Sequence, residues 1–391
     1  MKKKISLFML LACFMPFVNA QWVRGTGTEG KSFVCFAVSG TTLFAGTNGY
    51  GIYKSSDNGT TWSKTAYPET YAKAMMANGT TIYAVSWGSG LFKSIDLGTT
   101  WTKVVTSWTT KDILSMVSKG GNIYIVNGDG LYMSANNGST FTKLSGIVSA
   151  DILAIGGSNF YASNYGQGVF LSTDNGSTWN PVNTGIVNKR IKLLKVDGSN
   201  LMETAGDSVF LSTNNGGSWT MVYKPATGFS SPLSLGISGN KLFIGTNYDG
   251  LYLSINNGVT WTNMTGNLSK EKISALLINS NIVFAAEDGS GVYKRPLSDF
   301  TGLDALKEAH SINVYPNPGT GEFKFKSDIL AKEIKVKVVN LLGQLIYSTN
   351  IADPNNESYV KIDIGSSPNG IYILEIESGN KIYSSKLIVI H

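Results

Sequence analysis

Short apolar stretches alternate with polar, glycine-rich and asparagine-rich turns along residues 21–297. These stretches are short and are bounded by turn residues, which is typical of strands. The third period illustrates the pattern and predicts four strands: Ile113–Val117, Ile123–Val126, Leu131–Ser134 and Thr140–Leu144. The pattern returns about every forty residues, so each period predicts one small antiparallel sheet.

Each period but the last ends with an eight-residue segment, called the box here, that starts with Ser and ends with Trp or Phe. The six boxes start at Ser55, Ser94, Ser134, Ser172, Ser212 and Ser254, 38 to 42 residues apart. Their third residues are Asp57, Asp96, Asn136, Asp174, Asn214 and Asn256. Either side chain accepts hydrogen bonds from a turn's backbone, and the following Gly supplies a positive φ. A cation site would lose charge at each Asn, so we expect these residues to be structural.

The seventh period lacks a box and ends after the predicted strand Gly291–Lys294. Residues 21–24 (Gln-Trp-Val-Arg) resemble the strand that follows each box. Pairing this segment with the seventh period would leave no open sheet edge. The repeats therefore predict an all-β fold in which residues 21–297 form a seven-bladed β-propeller.

The boxes resemble the Asp-box, or bacterial neuraminidase repeat, of β-propeller proteins. Sialidases, two-propeller xyloglucanases, sortilin receptors and photosystem II assembly factors carry this motif. The resemblance implies the propeller fold. It implies no particular activity, because the box is scaffold in families of unrelated function.

Residues 298–312 break the repeat and are predicted to be a linker. Residues 313–391 predict a small antiparallel β-sandwich of the immunoglobulin-like type. Its expected strands are Ile334–Asn340, Gln344–Ser348, Tyr359–Ile364, Gly370–Glu377 and Lys381–Val389.

Four short motifs in this region resemble the type A C-terminal sorting domain of the type IX secretion system. The residues that carry the resemblance are Tyr315, Pro316, Asn317, Pro318, Gly343, Gly370, Tyr372 and Lys386. The resemblance implies recognition by that secretion machinery and passage across the outer membrane of a Gram-negative bacterium. It also implies removal of the domain, which leaves the protein secreted or attached to the cell surface.

Residues 1–20 combine a lysine-rich start with an apolar run and predict a signal peptide cleaved after Ala20. Cys13 offers the alternative of a lipoprotein cleavage site, although the apolar run continues beyond it. No transmembrane segment is expected in the mature chain. The net charge of +6 is not clustered, so no nucleic-acid partner is expected.

The propeller region contains no histidine, and its only arginines are Arg24, Arg190 and Arg295. A Ser-His-Asp triad and a His-based metal site are therefore not expected. We predict no catalytic residue, no metal and no cofactor, and we do not expect sialidase activity from so few arginines. A pair of carboxylates could still perform glycoside hydrolysis. Acidic residues predicted on loops are Glu69, Asp112, Asp151, Asp207, Asp249, Glu287 and Asp288.

Strand alternation places the loops between second and third strands, and the blade-to-blade connectors, on the face opposite the boxes. We call this the variable face, because its loops differ between repeats. Two tryptophans on this face, Trp87 and Trp108, have no counterpart in other repeats. With Tyr50, Tyr67, Tyr71 and Asp112 they predict a binding site, unless the aromatic side chains merely cap the blades.

Three functions follow from these observations. The first is a secreted or cell-surface, non-catalytic module that binds a glycan or a protein. The second is a carboxylate-based glycoside hydrolase or lyase that acts on extracellular polysaccharide. The third, by analogy with the photosystem assembly factors, is an envelope assembly factor.

Overall fold

The computed structural model describes residues 21–104, 113–146, 150–225, 230–269, 272–300, 310–326, 333–340, 345–352, 354, 359–378 and 381–391. The predicted signal peptide lies outside these residues, as do Trp108, Asp112 and Gly343.

The propeller consists of seven four-stranded sheets, one for each predicted period. Blade one comprises Phe33–Ser39, Thr42–Thr47, Ile52–Ser55 and Ser63–Lys64. Blade two comprises Ala74–Asn78, Thr81–Ser86, Gly90–Ser94 and Thr102–Lys103. Blade three comprises Ile113–Lys119, Asn122–Asn127, Gly130–Ser134 and Thr142–Leu144. Blade four comprises Ile152–Gly156, Asn159–Asn164, Gly168–Ser172 and Asn180–Pro181.

The remaining three blades follow the same order. Blade five comprises Ile191–Asp197, Asn200–Ala205, Ser208–Ser212 and Thr220–Tyr223. Blade six comprises Pro232–Ser238, Lys241–Thr246, Leu251–Ser254 and Thr262–Asn263. Blade seven comprises Ile273–Asn279, Ile282–Glu287 and Gly291–Pro296, with Val23–Arg24 as its outermost strand.

Closure of blade seven by the strand Val23–Arg24 is confirmed. Val23 lies opposite Lys294 and Arg24 opposite Tyr293 in an antiparallel pair. The backbone N–H of Trp22 donates to Oδ1 of Asn267 at 2.9 Å, and Nδ2 of Asn267 donates back to the Trp22 carbonyl at 2.9 Å. The outer edge of blade seven is therefore paired rather than open.

The second strand of each blade carries the core, because its alternate side chains face the two neighbouring blades. Phe44 of blade one packs against Ile82 and Ala84 of blade two. In the same way Phe284 of blade seven packs against Leu43 and Ala45 of blade one. Full burial of a side chain such as Phe44 contributes roughly 1.5–3 kcal/mol.

The box hairpins are held by one hydrogen-bond pattern, shown by the first copy. Oδ1 of Asp57 accepts from the backbone N–H groups of Thr60 and Thr61 at 3.0 and 2.9 Å. Ser55 Oγ donates to the same oxygen at 2.7 Å and accepts from the Gly59 N–H at 2.9 Å. The residue before Gly also has a positive φ in all six boxes: Asn58, Leu97, Asn137, Asn175, Asn215 and Asn257. The predicted structural role of the third residue agrees with this geometry.

Residues after 310 form a five-stranded sheet and a three-stranded sheet. The first contains His310–Ser311, Lys381–Val389, Gly370–Ser378, Glu333–Asn340 and Leu345–Ala352, in that spatial order. The second contains Val314–Tyr315, Glu322–Lys326 and Tyr359–Asp363. Side chains of both sheets share one core, in which Phe323, Val336 and Leu374 are fully buried. The predicted sandwich is confirmed.

Two details of this region differ from the prediction. His310–Ser311, expected in the linker, is a short strand that runs parallel to Lys381–Val389. A 3-10 turn covers Leu297–Asp299, and the following Phe300 is fully buried. Its ring meets that of Phe243 edge-on, with centroids 5.0 Å apart. The chain is divided into two compact units, residues 1–238, 244–250 and 265–299, and residues 239–243, 251–264 and 300–391. Phe243 and Phe300 belong to the second.

Candidate binding face

The variable face carries every exposed aromatic side chain of the described propeller: Tyr50, Tyr71, Trp87, Tyr165 and Tyr248. All five follow a second strand or lie in a connector between blades. Large aromatic side chains are usually buried, so their concentration on one face is the feature that distinguishes it.

Blade one places two of the predicted residues side by side. The backbone N–H groups of Gly49 and Gly51 both donate to the Thr70 carbonyl, at 3.1 and 2.7 Å. Both glycines have positive φ, 115° and 83°, which lets the loop turn back onto the connector. Tyr50 and Tyr71 lie on either side of this contact, and both are about half exposed.

Trp87 is 74% exposed, and the Nζ of Lys73 lies 5.1 Å from the centroid of its ring. The same arrangement occurs twice more on this face. Arg190 lies 5.7 Å from the ring of Tyr165, and Lys272 lies 5.8 Å from the ring of Tyr248. These three aromatic–cation pairs use an aromatic from a loop and a cation directly before the first strand of a blade.

Sequence reasoning missed Tyr165 and Tyr248, together with the three cations. A signal was present, since Lys73, Arg190 and Lys272 each immediately precede the first strand of a blade. The tyrosines lie one or two residues beyond the second strands of blades four and six. Comparing equivalent positions between repeats, rather than seeking residues without a counterpart, would have found them.

Tyr67 corrects the predicted site, because its side chain is only 5% exposed. Its ring packs edge-on against Phe92 and Trp101, with centroids 5.5 and 4.9 Å away. Burial raises the pKa of its hydroxyl. The side chain of Tyr67 packs with residues of blades one and two, so it caps the blade interface and does not face a ligand. Trp108 and Asp112 stay predictions, since both lie outside the described residues.

Several carboxylates of the variable face hold its loops in place. Asp151 Oδ2 accepts from the Tyr165 N–H at 2.7 Å. Glu287 Oε1 accepts from both the N–H and the hydroxyl of Ser269, at 2.6 and 2.8 Å. Asp288 lies 4.0 Å from the Nζ of Lys272, the cation beside Tyr248. Among the described residues, no group of three or more His, Cys, Asp or Glu side chains is placed to hold a metal ion.

The motifs near the C-terminus meet around the last strand. Asn317 donates through Nδ2 to the Lys386 carbonyl and accepts from the Ile388 N–H at 2.9 Å. Tyr372, on the strand that begins at Gly370, donates its hydroxyl to the Pro368 carbonyl at 2.8 Å. The ring of Tyr315 meets that of Tyr359 edge-on, with centroids 5.7 Å apart. Pro316 and Pro318 both follow cis peptide bonds.

Residues 313–390 match the family model of the secretion system C-terminal sorting domain. The match covers the four motifs and shows that the chain carries a type IX secretion signal. The protein is therefore exported, either secreted or held at the outer cell surface. Within the part of the chain that the structure describes, no helix is long and apolar enough to cross a membrane. Curated protein sequences give no match to this chain.

Solved structures support the propeller fold. YCF48 from Cyanidioschyzon merolae is similar with a TM-score of 0.59 and 16% identity, over 72% of this chain and 100% of that one. PorZ, a surface component of the type IX secretion system of Porphyromonas gingivalis, gives a TM-score of 0.52 and 15% identity. That alignment covers 91% of this chain and 59% of PorZ.

A xyloglucanase from Xanthomonas campestris gives a TM-score of 0.58 and 15% identity, over 78% of this chain and 59% of the enzyme. At these identities the likeness shows the fold alone. Fold and sorting domain together identify the chain as a seven-bladed β-propeller that carries a type IX secretion C-terminal sorting domain.

Proposed function

We propose that the protein is a non-catalytic extracellular binding module that holds a glycan or a protein on its variable face. The observation that carries this proposal is the set of five exposed aromatic side chains, three of them paired with a cation. Flat aromatic surfaces stack on sugar rings and on apolar side chains, and they dominate the energetics of interfaces.

The three cations indicate that the exposed aromatic side chains are ordered before a ligand binds. A lysine or arginine above an exposed ring contributes about 0.5–1 kcal/mol and restricts the rotation of that ring. Trp87, with Lys73 near one face of its indole, keeps most of its surface free for a ligand. Less conformational entropy is lost on binding when the contact residues are ordered beforehand.

One structural neighbour is described as YCF48 bound to D1 peptide; it has a TM-score of 0.58 and 13% identity, over 71% of this chain and 94% of that chain. Its description supports a propeller surface that accepts a peptide segment. A peptide segment is therefore one form of the proposed ligand, and an extracellular glycan is the other.

The proposed organisation of the chain follows the predicted boundaries. Residues 1–20 direct export to the periplasm and are removed, and residues 21–297 form the binding propeller. Residues 298–312 join it to the sorting domain, residues 313–391, which is removed after passage across the outer membrane. The released or tethered propeller is then the functional part.

The test is a glycan-array screen of the purified protein, together with a panel of synthetic peptides, followed by titration of the best ligand against variants. Trp87→Ala and Tyr248→Ala are expected to weaken binding by roughly 1–3 kcal/mol each. Ile95→Ala is the matched control, because Ile95 is as exposed as Trp87 but lies in a box on the opposite face. Unchanged binding by Trp87→Ala and Tyr248→Ala, or equal weakening by Ile95→Ala, would contradict the proposal.

A further inference from the structure

The innermost strands of all seven blades surround a central channel of about 450 Å³. Its walls contain residues 34–36, 73–75, 114–117, 152–155, 193–196, 233–235 and 274–277. This volume lies within the range of small-molecule sites, which are predominantly apolar with a few placed polar groups.

Most of the channel wall is built from valine, leucine, isoleucine, alanine and methionine side chains. The small polar side chains of the wall are occupied, because each hydrogen-bonds to the backbone of the next blade. These bonds are Cys35 to Ala72 at 3.2 Å, Ser115 to Leu153 at 3.3 Å, Ser234 to Ile273 at 2.7 Å and Ser274 to Phe33 at 2.6 Å. These bonds join neighbouring blades. The thiol of Cys35 and the three serine hydroxyls therefore already donate their hydrogens to backbone carbonyls.

Lys195 interrupts this apolar wall. It lies opposite Met202 in the register of blade five. The equivalent positions of five other blades hold Ala37, Met76, Val117, Ala154 and Leu277, all apolar. Lysine at this position is therefore a departure from the repeat, and its exposed side chain lines the channel.

The ammonium group of Lys195 has no hydrogen bond or ion pair with the described residues, although its side chain stays accessible to solvent inside the channel. Surrounding protein lowers its pKa by desolvation. The other lysine of the wall, Lys73, lies against the ring of Trp87. Lys195 is thus the one charged group of the channel that remains free to pair with a ligand.

We propose that the central channel binds a small molecule with an apolar body and one carboxylate, and that Lys195 pairs with that carboxylate. The ammonium group of Lys195 lies among mostly apolar side chains and is unpaired, and an anion supplies a partner of opposite charge. The apolar body of such a ligand would replace water along the wall and gain free energy from burial. This site adjoins the aromatic surface of the variable face at Lys73, which lines the channel and lies against Trp87.

The probe pair is octanoate and 1-octanol, which share one chain and differ in charge. Isothermal titration of the exported protein is expected to show octanoate binding about 10- to 100-fold more tightly than 1-octanol. Lys195→Met is expected to remove that difference, while Lys195→Arg retains it. Lys192→Met is the matched control, because Lys192 is an exposed lysine of the same strand outside the channel wall.

Thermal unfolding separates loss of the site from loss of the fold. Lys195→Met is expected to keep or raise the melting temperature, since it removes an unpaired charge from an apolar wall. Octanoate that binds no better than 1-octanol, or equally well to Lys195→Met, would overturn the proposal. So would an octanoate affinity lowered as much by Lys192→Met.

Discussion

The two faces of the propeller differ in how closely they keep the repeat. On the box face, six hairpins use the same serine, the same aspartate or asparagine and the same positive φ. On the variable face, the loops differ in length and in anchor, such as Asp151 or Glu287. A contact made six times serves the architecture that all blades share. The aromatic–cation pairs occur three times among the described residues, at Trp87, Tyr165 and Tyr248, so the architecture of the blades does not require them.

The largest expected difference between the faces is in the free energy of unfolding after replacement of a tryptophan. Trp62 closes the first box and is 5% exposed, whereas Trp87 is 74% exposed. Trp62→Ala is expected to lower the free energy of unfolding by about 3–5 kcal/mol through loss of burial and the cavity left behind. Trp87→Ala should change it by no more than about 0.5 kcal/mol. Denaturant unfolding measures both, and similar losses would show that Trp87 is a blade cap.

A second departure from the repeat lies inside the core. Glu203 occupies the second-strand position that is alanine in blades one, two, four and seven. It is fully buried, and neither carboxylate oxygen has a hydrogen-bond partner among the described residues. Alternation places it with Leu201 and Ala205 on the side that faces blade four. Burial raises the pKa of its carboxyl to about 8.

Because this pKa is raised in the folded state, the contribution of Glu203 to stability is highest at low pH, where its carboxyl is neutral in both states. It falls as pH rises from about 4.5 to about 8. Glu203→Ala is expected to raise the free energy of unfolding at pH 9 by about 1–3 kcal/mol and to flatten this fall. Glu69→Ala is the control. Parallel pH profiles of the parent protein and Glu203→Ala would contradict the account.

Closure of the ring offers a third comparison. The outermost strand of blade seven comes from the other end of the propeller sequence, whereas each other blade is built from consecutive strands. Deleting residues 21–25 removes the strand Val23–Arg24 and the bond from the Gly25 N–H to the Val292 carbonyl, 2.9 Å long. We expect the melting temperature to fall by about 5 °C or more, because a sheet edge opens beside Gly291–Pro296. Val23→Thr, at an exposed position of the same strand, is the control. An unchanged melting temperature after the deletion would mean that pairing here adds no stability.

The repeated part of this molecule was predictable and the unrepeated part was not, for a physical reason. The box and the strand alternation act through local chemistry, so the blades, their number and the closing strand followed from the sequence. Burial of Tyr67 depends on Phe92 and Trp101, which are distant in sequence. No local pattern distinguishes Tyr67 from the exposed Tyr71. Lys195 and Glu203 look like ordinary surface charges until the register of blade five places Lys195 on the channel wall and Glu203 in the core.

The smallest expected effect concerns the third residue of the box, where the scaffold itself varies between aspartate and asparagine. Asp174 Oδ2 accepts from the Thr178 hydroxyl at 2.6 Å. In the third box, Asn136 Nδ2 instead donates to the Thr140 hydroxyl at 2.8 Å. The backbone contact is alike in both, since the Oδ1 of each residue accepts from the N–H four residues on, at 2.8 and 2.9 Å. The threonine hydroxyl therefore serves as donor in one box and as acceptor in the other.

Asp174→Asn should consequently lower the melting temperature by no more than about 2 °C at pH 7.

Acid should distinguish the parent protein from Asp174→Asn. The hydrogen bond from the Thr178 hydroxyl, with help from the backbone, lowers the pKa of Asp174 from 3.8 to about 2. A lowered pKa stabilises the fold above 3.8, and that contribution is lost as pH falls from 3.8 to about 2. Asp174→Asn should lack this loss, whereas the converse change Asn136→Asp should gain one. Melting curves between about pH 2 and about pH 7 measure both changes, because this range spans the ordinary and lowered carboxyl pKa values. Identical acid profiles for all three proteins would show that the aspartate boxes derive no stability from their charge.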